Sequence, residues 1–132
     1  MRNKSFVLVA LSLLLLFLCA CGSTESDIVG EWQYTTVGSS YLKFRDKYGD
    51  SWRMDFDETS IFSFYNDGTW KLSGKDNASG TYSIGHDGTA ISFVAKSRKY
   101  EPTIEFVEIE FSGNLMTLKY GDKFLYFTKY SN

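Results

Sequence analysis

From Asp27 onward the chain repeats one pattern: short segments rich in Val, Ile, Thr and aromatic residues, separated by clusters of Gly, Asn and Asp. The segments recur about every eight to twelve residues, the spacing of an antiparallel meander. Within them apolar and polar residues alternate, so one face of each strand is buried and the other is wet. In Thr69–Ser73, for example, Trp70 and Leu72 oppose Lys71. Tyr82 with Ile84 and Ile91 with Phe93 repeat the arrangement, with Ser83 and Ser92 outward. Asn66-Asp67-Gly68 joins two such segments by residues that tolerate positive φ, a strong hairpin signal.

The expected strands are Ile28–Thr36, Ser51–Phe56, Ser60–Tyr65, Thr69–Ser73, Gly80–Ile84, Thr89–Ala95, Thr103–Phe111, Leu115–Tyr120 and Phe124–Tyr130. Ser39–Tyr48 fits either a short helix or a strand, because Tyr41, Leu42, Phe44 and Tyr48 suit both periods. In Thr103–Phe111 the alternation slips between Ile104/Phe106 and Val107/Ile109/Phe111, as one extra residue near Phe106-Val107 would make it do. An open sheet of this length would leave bare edges, so the expected fold is all-β, a small up-and-down antiparallel barrel of about eight to ten strands.

The first 26 residues are of a different kind. A basic tip with Arg2 and Lys4 precedes an apolar run from Phe6 to Leu18. A membrane-spanning helix needs about 20 apolar residues, so this run fits the core of a signal peptide better than a permanent span. It ends in Leu18-Cys19-Ala20-Cys21, which resembles the lipobox of bacterial lipoproteins. The resemblance implies cleavage before Cys21, acylation of that thiol by a chain such as palmitate, and loss of Cys19 with residues 1–20. Two or more acyl chains hold a domain firmly on a membrane. Residues 21–26 then form the lipidated Cys and a polar tether, Gly22-Ser23-Thr24-Glu25-Ser26, and residues 27–132 the barrel domain. The resemblance places the domain in the cell envelope, outside the cytoplasm. Gly22 rather than Asp after Cys21 directs it to the outer membrane if the cell is Gram-negative.

Without residues 1–20 the chain carries twelve basic and sixteen acidic residues, a surface ill suited to nucleic acid. With Cys21 acylated and Cys19 removed, no thiol is left for a disulfide, a metal or nucleophilic catalysis. The one histidine, His86, lies in Gly85-His86-Asp87-Gly88 and reads as a turn residue. Asp55, Asp57 and Glu58 lack the spaced loop of a calcium site and read as solvated strand ends. Glu108 and Glu110 alternate with Val107, Ile109 and Phe111, the pattern of an outer face and not of a glycosidase pair; Glu105 lies on the same strand. No Gly-x-Ser-x-Gly elbow is present. No enzyme, cofactor or metal is expected.

Gly30-Glu31-Trp32 in the first strand is similar to the Gly-x-Trp motif that opens lipocalins and their calycin relatives. In that family the Trp closes one end of the barrel under a basic side chain from the last strand region, a position for which Lys129 is a better candidate than Lys123. Phe62–Trp70 followed by Ser79–Ile84 resembles bacterial lipocalin-like domains, with their aromatic strand, Asp-Gly-Thr turn and Gly-Thr-Tyr strand. The resemblance supplies a fold; together with the lipobox and the lack of a catalytic constellation, the Gly-x-Trp-led meander leads to the expectation of a non-catalytic binding module. Trp32, Tyr34, Trp52, Trp70, Tyr82 and Phe93 are then the candidate lining for a small apolar ligand. The same rings can equally fill the interior of a barrel this small. In that case the function falls to an envelope protein partner or a structural role.

Overall fold

The computed structural model describes residues 27–85, 87–96 and 100–131. The signal segment 1–20, Cys21, the tether 22–26, His86 and the middle of the 96–102 loop lie outside the described residues. Ten strands follow one another: β1 Gly30–Gly38, β2 Tyr41–Arg45, β3 Ser51–Asp55, β4 Ile61–Phe64, β5 Thr69–Ser73, β6 Ala78–Ile84, β7 Ala90–Ala95, β8 Thr103–Ser112, β9 Leu115–Tyr120 and β10 Lys123–Ser131. The ambiguous segment is thus a strand. Paired with β3, it needs period-two burial, and Leu42 and Phe44 are fully buried while Lys43 and Arg45 are not.

Eight strands close a ring of antiparallel neighbours in the order β1, β4, β5, β6, β7, β8, β9, β10 and back to β1. The wall is an up-and-down barrel with one departure: β1 pairs with β4 over Gly30–Gln33, which takes the edge that β2 would need. The hairpin β2–β3 therefore leaves the wall. It meets β8 at a single ladder pair, Arg45 with Thr103.

Turn chemistry sets the register. Asp67 Oδ1 accepts from Thr69 N at 3.0 Å and Thr69 Oγ1 at 2.6 Å, while Gly68 supplies φ +85°. Those bonds hold the Asp67 carboxyl below the usual carboxylate range. Asp57 is held down in the same way, chiefly by Thr59.

Two irregularities bend the wall. Ile104 and Val107 of β8 face Phe93 and Ile91 of β7, so β8 carries one extra residue, as the slipped alternation indicates. In β1, three residues lie between Tyr34 and Gly38, against one of β10 between Phe127 and Leu125. Thr36 at φ +64° and Gly38 at φ +83° take up the excess. A side chain at Gly38 would also run into the Phe124 carbonyl.

The core lies inside the ring and runs from Ile28 to Phe127 along the chain. At its centre, Phe62 lies 5.6 to 5.8 Å, centroid to centroid, from Trp70, Phe56, Phe93 and Phe127, and 4.4 Å from Phe64. Such stacked, tilted and edge-on pairs add to simple burial.

Candidate functional site

The antiparallel order defines two barrel ends. The starts of β1, β5, β7 and β9 share one end with the finishes of β4, β6, β8 and β10; it is also the end at which the described chain begins. The opposite end is roofed by the β2–β3 hairpin.

The roof is held at its rim by a few polar contacts. Tyr120 Oη donates to the Lys43 carbonyl at 3.1 Å, and Asp76 Oδ2 accepts from Asp55 N at 2.6 Å. Tyr41 lies near two cations, with Arg53 4.5 Å and Lys123 Nζ 5.5 Å from its ring centroid. The tyrosine and Asp122 raise the Lys123 pKa. The roof's inner face consists of Leu42, Phe44, Met54 and Phe56, all buried. Full burial of such side chains contributes ~1.5–3 kcal/mol each.

The six nominated aromatics divide among different places. Trp70 and Phe93 meet at the centre, ring centroids 6.3 Å apart, and both touch Phe62. Trp52 reaches this group through Phe44, which is 5.0 Å from Trp52 and 6.3 Å from Trp70. Tyr34 packs on Phe56 and Phe127 and donates its hydroxyl to the Ser39 carbonyl at 2.7 Å. Burial raises its pKa. Tyr82 sits at the other end, edge-on to Phe64, with its hydroxyl on the Tyr65 carbonyl at 2.7 Å. Trp52 and Tyr82 are only partly buried; the other four are buried. The rings make contact with one another and with the roof, and their polar tips are satisfied by backbone, as with Trp70 Nε1 on the Thr81 carbonyl at 3.0 Å.

Trp32 stands apart, at the end where the chain enters. Its indole donates to the Ile28 carbonyl at 2.8 Å and its ring lies 5.7 Å from Phe111. Lys129, not Lys123, covers it. The Lys129 Nζ is 4.6 Å from the Trp32 centroid and donates to the Val29 carbonyl at 2.7 Å. Burial lowers the Lys129 pKa and the charge of Asp27 partly restores it. Beside this cap is a hollow of about 460 Å³ lined by Asp27, Trp32, Phe111, Asn114 and Lys129, among others. Nothing in sequence spacing joins these residues, since residues 27–32 and 111–129 form the two halves of the hollow from opposite ends of the barrel sequence.

The carboxylates singled out in the sequence are bonded locally or exposed. Asp55 accepts from Arg53 at 2.8 Å, and Asp57 from Thr59 N at 2.9 Å. Glu105, Glu108 and Glu110 are exposed, and Glu108 lies 3.7 Å from Lys119. Among the described residues, no three His, Cys, Asp or Glu side chains converge as metal ligands would.

No protein-family model matches the chain, and neither a curated protein nor a solved structure resembles it significantly.

Proposed function

We propose that this chain is a lipid-anchored, lipocalin-like lipoprotein of the cell envelope, non-catalytic, whose barrel interior is a packed core and whose work is done at its surface. The leader with its Cys21 box supports the anchor, and the Gly30-Glu31-Trp32 strand capped by Lys129 supports the lipocalin-like reading. The observation that carries the surface role is the stack around Phe62. Five rings lie within 6 Å of it, and the roof's own side chains fill the mouth. A binding pocket of ordinary size, ~300–1,000 Å³, would need that space.

A second reading, a small apolar ligand inside the barrel, draws on the roof's slight attachment. If the hairpin swung away, the room now taken by Leu42, Phe44 and Met54 would be open. Native mass spectrometry of residues 22–132, alone and after incubation with the neutral-lipid fraction of a cell extract, separates the two. The packed reading expects the apo mass both times. A stoichiometric neutral-lipid adduct would overturn it in favour of the second.

A further inference from the structure

We infer that the hollow beside Trp32 is a headgroup site, and that it takes the phosphoethanolamine group of a membrane lipid. This deepens the surface role above and rests on the lipid anchor for its setting.

The chemistry follows from two opposite charges that approach without meeting. Lys129 and Asp27 both line the hollow, and the charge of Asp27 offsets part of the lowering that burial imposes on the Lys129 pKa. Yet among the described residues no ion pair joins them. An ammonium has three N–H donors. One of those of Lys129 goes to the Val29 carbonyl, and the Trp32 ring takes one side of the group. The hollow adjoins what remains, with Asn114 contributing an amide at its rim and Phe111 an apolar wall.

A lone anion would meet repulsion from Asp27, and a lone cation repulsion from Lys129. A zwitterion with a phosphodiester at one end and a primary ammonium at the other satisfies both. Charge-assisted hydrogen bonds of this kind are about twice as strong as neutral ones. Position agrees with chemistry, because Asp27 stands six residues after Cys21. Six extended residues span at most about 20 Å. The barrel end that holds the hollow is therefore the end nearest the membrane.

The test uses residues 22–132, which contain the whole core from Ile28 to Phe127. The Trp32 indole N–H is followed by NMR during titration with dihexanoyl-phosphatidylethanolamine below its micelle concentration. Parallel titrations use dihexanoyl-phosphatidylglycerol and glycerophosphoethanolamine. Saturable shifts are expected with both ethanolamine compounds and at least tenfold weaker binding of the glycerol lipid. A response to the lipid but not to glycerophosphoethanolamine would assign the contact to the acyl chains and overturn the headgroup site.

Lys129→Met keeps the stem over Trp32 and should abolish the shift. Asp27→Asn, at an exposed position, should leave the fold intact and erase the preference for ethanolamine over glycerol. No shift at Trp32, equal response to the two lipids, or a preference unchanged in Asp27→Asn would each overturn the proposal. Anchoring is read separately, by incorporation of labelled palmitate into the full chain and its loss in Cys21→Ala. Failure of one reading is thus distinguishable from failure of the other.

Discussion

Phe62 shows how much of the fold hangs on single side chains. It is fully buried among five other rings, so truncation leaves a hole that the stiff wall strands can collapse into only partly. Phe62→Ala should cost about 4 kcal/mol in urea unfolding. Gly80 makes the opposite demand. A methyl there would overlap the Val94 carbonyl and press on Ala95 Cα, both backbone, so Gly80→Ala should cost about 3 kcal/mol by overpacking. Asp67 gives the pH dependence. Its carboxyl is depressed in the folded state by Thr69, so its contribution is present above its unfolded value of 3.8 and is lost as pH falls through the folded one. The stability difference between the wild type and Asp67→Ala should therefore be greatest near pH 7 and shrink towards about pH 2.5, as urea titrations at both would show.

At the scale of elements, the hairpin β2–β3 is the piece with its own behaviour. Wall strands are paired on both sides, whereas β3 has only β2 as a neighbour, and β2 has one ladder pair with β8. Amides of Leu42 and Met54 should exchange through an opening on the order of 2 kcal/mol cheaper than that of the β5–β6 amides. Tyr120→Phe, which removes the bond to Lys43, should speed exchange in β2–β3 alone. The hairpin also marks where sequence reading stops. Strand positions were legible from alternation, Thr69–Ser73 and Leu115–Tyr120 to the residue, and even the β8 bulge showed as a slip in phase. Those signals are local. That β1 would choose β4 and expel the hairpin depends on which edges compete in three dimensions, and alternation says nothing about that. The site divides likewise. Lys129 over Trp32 came from resemblance to a family motif, but the hollow joins Asp27 and Phe111 to it across the whole chain.

The whole molecule is a ring closed by β1, which joins β4 on one side and β10 on the other. The pairing with β10 brings the two ends of the barrel sequence together, since Glu31 pairs with Ser131. The ring should therefore be indifferent to where its covalent chain is cut, provided each strand keeps its neighbours. A circular permutant that joins residue 131 to residue 27 through a short Gly/Ser linker, and opens at the exposed Gly121–Asp122 turn, tests this. It turns the β9–β10 hairpin into a long-range pair, while β10–β1 becomes a local one. Because the loop-closure cost grows only slowly with loop length, the permutant should unfold in one cooperative transition within about 2 kcal/mol of the parent. Near-UV circular dichroism from the packed aromatics should be unchanged. Loss of that signal with retained strand content would mean that the β9–β10 turn is needed to position Phe127 against Phe62, and that the barrel is assembled from that hairpin rather than by closure of the ring.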